Sequence, residues 1–442
     1  MTTKQDKSND SVHSLSRFIK TLGPGFVTGA ADIDPSTIAT YIQAGAKFGL
    51  GLIWMILFQL PSMIAIQEMC ARLGLATGKG LAQIIKIKYS NRIVIIISGL
   101  LFFVNTINIG ADLGAMGASV NILFPGTPAF IPTIMFSVVI VLAEIVIPYR
   151  IYVTILKYLA LALLSYVVTA IIVGGNWTNI FISTLTPHIQ LTPDFAIMFV
   201  AVFGTTFPPY LFFWQTSEEV EEDVKKGKIP EMGKGKPHLK PKEIKLMKRD
   251  VALGMFFSQI MVWAIIVTAS GSLHAHNLTN VQSASEAAKA LEPLVKSFPG
   301  AGQISKAIFA LGIIGTGMLA IPVLAGSSAY ALSDAFGWRR GLNEKFTRAK
   351  KFYFAIITST VIGLWITFSN INIIQVLIFT AVISAVAGVP ILYMLMRIAN
   401  DKMILQNRTN GLVSNIIGWS TFVLMVVSVI ILFIALTMKA VS

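Results

Sequence analysis

Long apolar runs are the feature that most constrains this chain. Eleven segments stay apolar over about 20 residues, the length a helix needs to cross the hydrocarbon core of a bilayer. They lie near residues 22–46, 49–71, 93–121, 128–147, 151–174, 195–217, 250–273, 304–333, 351–369, 372–396 and 412–437. Only 13% of the 442 residues are charged, against about 25% in soluble domains. The sequence therefore predicts an all-α membrane protein with about eleven transmembrane helices.

Basic residues predict which way the chain crosses the membrane. Of the 35 Lys and Arg residues, all but five lie in the first 20 residues or in or beside alternate loops between the apolar segments. The exceptions are Lys47, Lys289, Lys296, Lys306 and Lys439. Because basic loops stay in the cytoplasm, we expect a plasma-membrane protein with a cytoplasmic N-terminus and an extracellular C-terminus. This asymmetry accounts for the net charge of +14. We therefore expect the lipid bilayer as a partner and do not expect a nucleic acid.

The first apolar segment contains a helix break beside acidic residues. The stretch "GAADIDPSTIATYIQAG", residues 29–45, places Asp32 and Asp34 before Pro35. Proline removes a backbone donor and clashes with the preceding turn, so we expect the helix to unwind there. Unwound backbone at membrane depth is tolerated only where it lines a cavity. A carboxylate beside free carbonyl oxygens is a candidate site for a hard cation.

The sixth apolar segment contains a second break. Its stretch "GTTFPPYLFFWQTSEEVEED" includes Pro208 and Pro209, which together cannot continue a regular helix. The two breaks are five segments apart, so they occupy matching positions in two five-span halves. That arrangement is typical of inverted-repeat transporters with a substrate site between the breaks. The alternative is two proline kinks in ordinarily packed helices.

Three motifs resemble the Nramp family of divalent-metal transporters. "GPGFVTGAADIDPSTIATYIQAGAKFGL" is similar to the first span of that family, whose motif is Asp-Pro-Gly-Asn. "QEMCARLGLATGKGLA" resembles the end of its second span, and "GADLG" its Thr-Asp-Leu-Ala-Glu in the third. The resemblance implies a LeuT-like fold of two five-span inverted repeats with broken helices 1 and 6. The repeats would cover residues 21–174 and 194–396, after a cytoplasmic tail at 1–20 and before an eleventh span at 411–438.

The expected site departs from the pattern of that family. Asp34 stands at the metal-binding aspartate, but Thr37 stands where the asparagine belongs. The Met-Pro-His motif of span six reads Pro208, Pro209 and Tyr210 here, so the thioether ligand is missing. A soft sulfur favours manganese and iron over magnesium and calcium. Its loss indicates a site of oxygen ligands suited to an ion that keeps much of its water.

The resemblance and these departures give a set of candidate metal-binding residues. The main ligands we predict are the Asp34 carboxylate, the Thr37 hydroxyl, and the carbonyl and hydroxyl of Thr205. The further candidates are Tyr210 and Gln215 for the metal, with Asp112, Trp214 and Pro208 as accessory residues. No cofactor is predicted, and the transported cation is the substrate.

Groups for proton coupling are depleted. The second span-six histidine of the family aligns with Gln215, and its span-three glutamate aligns with Ala115; Asp112 remains at the span-three aspartate. None of the five histidines lies inside an apolar segment, and a proton relay needs groups that titrate near neutral pH. These departures resemble the Nramp-related magnesium transporters. The resemblance implies import of Mg²⁺ and Mn²⁺ as largely hydrated ions, by alternating access and without proton coupling.

Three alternatives stay open. The first is a proton-coupled manganese or iron transporter of the same family, and the second is a sodium-coupled amino-acid symporter of the same fold. Asp34 disfavours the symporter because it would repel a substrate carboxylate. The third is a metal receptor that does not transport. The sequence has no nucleotide-binding loop, zinc signature or nucleophile elbow, so an enzyme is not predicted, and we expect a monomer.

The loop after the sixth segment is strongly charged. It begins with five acids, Glu218, Glu219, Glu221, Glu222 and Asp223, and ten Lys and Arg residues follow. We interpret the acids as a solvated helix end and the basic stretch as facing lipid headgroups. A magnesium-sensing cytosolic patch is the alternative.

Overall fold

The computed structural model describes residues 23–147, 151, 163–296, 300–368 and 372–441. Within these ranges the chain is helical and no strand is assigned. The helices are α1 (Pro24–Ala31), α2 (Pro35–Phe48), α3 (Trp54–Thr77), α4 (Leu81–Lys88), α5 (Asn91–Leu123), α6 (Phe130–Val146), α7 (Leu164–Val173), α8 (Trp177–Leu185), α9 (Pro193–Thr206), α10 (Pro209–Lys225), α11 (Pro241–Ser272), α12 (Ala284–Ala288), α13 (Glu292–Val295), α14 (Ala301–Phe336), α15 (Lys350–Thr367), α16 (Ile373–Ala399), α17 (Lys402–Leu405) and α18 (Leu412–Val441). The predicted tail at 1–20 and part of the fifth span lie outside the described residues.

Helices occupy all eleven predicted apolar segments. By length and composition, seven helices of the described part are long and apolar enough to cross a membrane, counting α9 with α10 as one. The bent pair α7 and α8, which meet at 118°, would make an eighth. The other predicted spans contain the shorter helices α1 with α2, α6 and α15. The predicted all-α class is confirmed.

The first break separates α1 from α2. Asp34 has an extended backbone, with φ −81° and ψ 171°, and its side chain caps α2 by accepting a hydrogen bond from the Thr37 amide. Pro35 is the first residue of α2, where a helix needs no backbone donor and the fixed φ of proline fits. The proline therefore begins a new helix instead of bending a continuous one.

The second break separates α9 from α10. Helix α9 ends at Thr206, and Pro208 adopts an extended conformation, with φ −70° and ψ 133°, before α10 begins at Pro209. A residue that precedes proline is pushed out of the helical region, which accounts for the break. Because Pro208 and Pro209 lack an amide hydrogen, the carbonyls of Gly204 and Thr205 have no helical donor four residues on.

Close glycine contacts hold α1 against α11. A Cβ on Gly29 would lie 2.2 Å from the Gly254 carbonyl oxygen, so the two backbones touch. The Asp250 carboxylate of α11 also accepts hydrogen bonds from the amides of Gly23 and Gly25, at 2.8 and 2.7 Å. These contacts lie at the end of the bundle that carries the loops 78–90, 226–240, 337–349 and 400–411, called the basic end below. They hold the start of α1 against α11.

A second close contact holds α9 against α16. A Cβ on Gly204 would lie 1.7 Å from the carbonyl oxygen of Ala381. Small residues at such crossings let helix backbones approach each other in a membrane. The helix that ends at the second break is thereby fixed against the tenth span.

The acids at the end of α10 are buried, so our interpretation of them as a solvated helix end is wrong. Glu218, Glu219, Glu221 and Asp223 are 8%, 5%, 5% and 1% exposed. Glu221 is satisfied by donors from distant segments, whereas Glu219 and Asp223 find partners close in sequence. Glu221 accepts hydrogen bonds from the Tyr330 hydroxyl, the Leu342 amide and the Asn343 side chain. Asp223 is paired with Lys228 at 2.8 Å.

Candidate metal-binding site

Asp34 lies at the first break and is 3% exposed. Its Oδ1 accepts a hydrogen bond from the Thr37 amide at 2.7 Å. Its Oδ2 lies 3.4 Å from both the Asn108 Nδ2 atom and the Tyr210 hydroxyl. Contacts of 3.4 Å are long for hydrogen bonds, so Oδ2 is held more loosely than Oδ1. One oxygen of this carboxylate thus positions α2, and the other is available to a cation.

Thr37 lies in the first turn of α2, beside the break. Its hydroxyl donates a hydrogen bond to the Asp32 carbonyl oxygen at 2.9 Å. A hydroxyl that donates one hydrogen bond keeps lone pairs that can face a cation or its water. The two acids of the break have different neighbours, because the Asp32 carboxylate accepts a hydrogen bond from Ser258 of α11. Asp34 instead faces α5 and α10.

Thr205 lies in the last turn of α9. Its hydroxyl donates to the Val202 carbonyl at 3.1 Å, within its own helix. Its carbonyl is the more favourable ligand, because proline at position 209 removes the helical donor. The neighbouring Thr206 hydroxyl lies 3.0 Å from both the Tyr41 hydroxyl and the Gln59 Oε1 atom, and so connects α9 to α2 and α3.

Tyr210 connects α10 to the first break. Its hydroxyl lies 3.4 Å from the Ala31 carbonyl oxygen as well as from Asp34 Oδ2. The residue is 2% exposed and lies in the first turn after Pro208. The two breaks therefore meet through this side chain, which places an acid, a phenol and a helix-end carbonyl together.

Two predicted residues contact other parts of the molecule. The Gln215 amide donates to Glu219 Oε1 at 3.0 Å, and Gln215 is about 7.5 Å further along the helix axis than Tyr210. Trp214 packs edge-on against Tyr330 of α14, with ring centroids 6.2 Å apart. These two contacts are thus on α10 and α14, toward the basic end.

Helix α5 contributes two polar residues beside the first break. Asp112 is fully buried and lies near the backbone amide of Ser36. Asn108, one helical turn earlier on the same face, contacts Asp34 and was missed by sequence reasoning. Its spacing of four residues from Asp112 was the signal that could have found it.

A cavity of about 310 Å³ lies beside the first break, where Pro35 lines it, and reaches the loop after α11 at the end opposite the basic end. Its lining includes Pro35 at the first break, Ala115 on α5, and Gln282 and Ser283 in the loop after α11. The walls are mainly apolar side chains. Both amide atoms of Gln43 hold the adjoining loop, through the Thr279 carbonyl at 3.1 Å and the Val281 amide at 2.9 Å.

Comparison with known proteins identifies the family of this chain. A family model described as "Natural resistance-associated macrophage protein-like" (Nramp) matches residues 25–435. The chain belongs to the Nramp family. It is 26% identical over 324 residues to the "Divalent metal cation transporter MntH" of Caldanaerobacter subterraneus subsp. tengcongensis, covering 71% of this chain and 72% of that protein. The protein of the same name from Klebsiella pneumoniae (strain 342) is 25% identical over 325 residues, covering 72% and 73%.

Solved structures share the fold. A manganese transporter of Eremococcus coleocola superposes with a TM-score of 0.69 at 16% identity, over 96% of this chain and 87% of that one. MhsT in complex with L-phenylalanine superposes with a TM-score of 0.60 at 9% identity, over 94% and 98%. The Nramp chain thus has the predicted LeuT-like fold, in which broken helices 1 and 6 meet. It is a multi-pass membrane protein of a family of metal-ion transporters, not of enzymes.

Proposed function

We propose that this protein imports the divalent cations Mg²⁺ and Mn²⁺ by alternating access around Asp34. The observation that carries the proposal is a buried carboxylate between two broken helices, with one oxygen loosely held. An acid at membrane depth costs at least about 2.5 kcal/mol, so such a residue marks an ion pathway by default. The names of the relatives, divalent metal cation transporters and a manganese transporter, support the class of substrate.

The chemistry of the candidate ligands supports magnesium as a substrate. Asp34, Thr37, Thr205 and Tyr210 offer a carboxylate, hydroxyls and a carbonyl, and all of these are oxygen ligands. The described residues contain no group of three or more His, Cys, Asp or Glu that could hold a metal. One acid with neutral oxygens suits a hard ion that is bound weakly and keeps several waters.

The size of the cavity supports passage of a hydrated ion. Six water molecules at about 30 Å³ each fill roughly 180 Å³. The cavity of about 310 Å³ has room for such a shell around a small cation. Its apolar walls offer few ligands that could strip the shell before the ion reaches Asp34.

Transport without proton coupling is part of the proposal. Ala115, which aligns with a family glutamate, lines the cavity, and Gln215, which aligns with a family histidine, hydrogen bonds to Glu219. The membrane potential supplies the driving force, since a divalent cation gains about 4.6 kcal/mol per 100 mV. That energy corresponds to a gradient of about three decades.

The membrane setting of the proposal rests on the sequence. The asymmetry of basic residues supports insertion in the plasma membrane with a cytoplasmic N-terminus and an extracellular C-terminus. The basic end would then face the cytoplasm, and the cavity would face the outside. The residue ranges predicted for the two repeats and a monomeric state also stay proposals.

A proton-coupled metal transporter and an amino-acid symporter are two alternative functions of a chain with this fold. For a proton-coupled manganese transporter, the relatives' names support the metal but not the coupling to protons. An amino-acid symporter has only the likeness of MhsT, which at 9% identity is a likeness of fold. The Asp34 carboxylate lies within the proposed site and would repel the carboxylate of an amino-acid substrate.

The test is flux into proteoliposomes. We expect uptake of Mg²⁺ and Mn²⁺ that rises with an inside-negative potential and is unchanged by an imposed pH gradient. Asp34→Ala should abolish the uptake of both ions while the purified variant stays folded, with Asp194→Ala, at an exposed ion pair with Lys47, as the matched control. Acidification of the lumen with metal entry would replace the proposal with proton-coupled transport, and full activity of Asp34→Ala would refute the site.

A further inference from the structure

Asn108 lies beside Asp34, and within the described residues its amide oxygen has no hydrogen-bond partner. It is 3% exposed, and its Nδ2 lies 3.4 Å from Asp34 Oδ2. Its Oδ1 is buried and has no hydrogen-bond partner within the described part of the chain. A buried polar atom without a partner costs about 1–3 kcal/mol.

Asn105, one turn earlier on α5, shows how an asparagine is used for packing. Its Nδ2 lies within 3.0 Å of the Leu324 carbonyl and of the hydroxyls of Ser327 and Ser328 on α14. That side chain joins two helices through short contacts of its nitrogen, while its Oδ1, like that of Asn108, has no hydrogen-bond partner within the described residues. Asn108, in contrast, makes one long contact, to the carboxylate of the proposed site.

We infer that Asn108 is a cation-binding residue of the site, with its amide oxygen facing the ion or one of its waters. The amide nitrogen faces Asp34, because a carboxylate prefers a donor. A half-turn of the amide group exchanges nitrogen for oxygen without moving α5, since the two atoms have nearly the same shape. The inference rests on the proposed function and adds a ligand from span three to it.

The distances agree with a shared ion. Two oxygens at about 2.1 Å from one magnesium ion, at right angles, are roughly 3 Å apart. The Asn108 amide and the Tyr210 hydroxyl both lie 3.4 Å from Asp34 Oδ2. A few tenths of an ångström of closure would therefore bring an amide, a phenol and a carboxylate around one ion.

The experiment measures metal uptake by Asn108 variants in proteoliposomes. Asn108→Leu keeps the approximate size and removes the oxygen, so we expect the KM for Mg²⁺ to rise on the order of tenfold. Asn108→His offers a nitrogen ligand, so we expect the ratio of Mn²⁺ to Mg²⁺ uptake to rise severalfold. Asn108→Asp adds a charge with almost no change in shape, so the KM for both ions should fall; it tests the inference even if the other variants fail to fold.

The matched control is Asn105→Leu. It should lower the thermal stability of the protein and leave both the KM and the metal ratio near wild type. Unchanged KM and metal ratio in the folded Asn108 variants would overturn the inference. If Asp34→Ala still abolished uptake in that case, the proposed function would stand; if the wild-type protein carried no divalent cation, the proposed function would fail first.

Discussion

Replacing Gly254 with alanine should open the basic end of the bundle. A Cβ on Gly254 would lie 2.2 Å from the Gly25 carbonyl oxygen and 2.8 Å from the Phe26 Cα atom, whereas ordinary Cβ contacts begin at 3.4 Å. Relieving these contacts needs α1 and α11 to separate by roughly 1 Å, and overpacking of this kind costs about 1–3 kcal/mol. This cost destabilises the conformation in which α1 packs against α11. The population with α1 displaced should therefore rise by about 5- to 150-fold.

The displacement is measured by cysteine labelling in detergent. Val27→Cys places a thiol on α1 at a position 7% exposed, and the native Cys70 is fully buried. We expect a faster reaction of this thiol with a maleimide when Gly254→Ala is added. Gly312→Ala is the matched control, because a Cβ there has no atom within 4 Å. If Val27→Cys reacts at the same rate with and without Gly254→Ala, the reasoning that this contact holds α1 at the basic end is refuted.

Three further predictions concern side chains at the breaks and at the end of α10. Tyr210→Phe removes only the hydroxyl near Asp34, so the KM for Mg²⁺ should rise by about 2- to 10-fold in uptake assays; a loss of stability at unchanged KM would contradict this. Pro208→Met adds a thioether at the second break and should raise the ratio of Mn²⁺ to Mg²⁺ uptake on the order of tenfold; an unchanged ratio in a folded variant would argue against a site there. Glu221→Ala should lower the unfolding free energy by about 3 kcal/mol, because it strands buried donors. Glu222→Ala, measured beside it by thermal unfolding, should change it by no more than about 0.5 kcal/mol, and equal effects would contradict the burial argument.

The helix breaks could be predicted because their causes are local. Pro35, Pro208 and Pro209 dictate backbone geometry at their own positions, whatever packs around them. An acid beside the first break was likewise visible in the sequence. The extended backbone at Asp34 and the start of α2 follow from these few residues.

Other features depend on partners that are distant in sequence. Asn108 comes to the site because α5 packs beside the first break, and its spacing of four residues from Asp112 does not by itself show which neighbour it meets. The burial of Glu221 depends on donors more than 100 residues away. Gln215 was predicted at the site from alignment, but its amide pairs with Glu219 one turn further along α10. Periodicity indicates which face of a helix is apolar. It does not show which distant residue supplies the hydrogen-bond partner of a polar side chain.

The most direct test of the central claim is to locate the ion. Crystals of the protein soaked in Mn²⁺ should show an anomalous peak within bonding or one-water distance of Asp34 Oδ2, surrounded by oxygen atoms only. The peak should disappear in Asp34→Ala. A peak at a sulfur or imidazole ligand, or one that persists without the Asp34 carboxylate, would contradict the account.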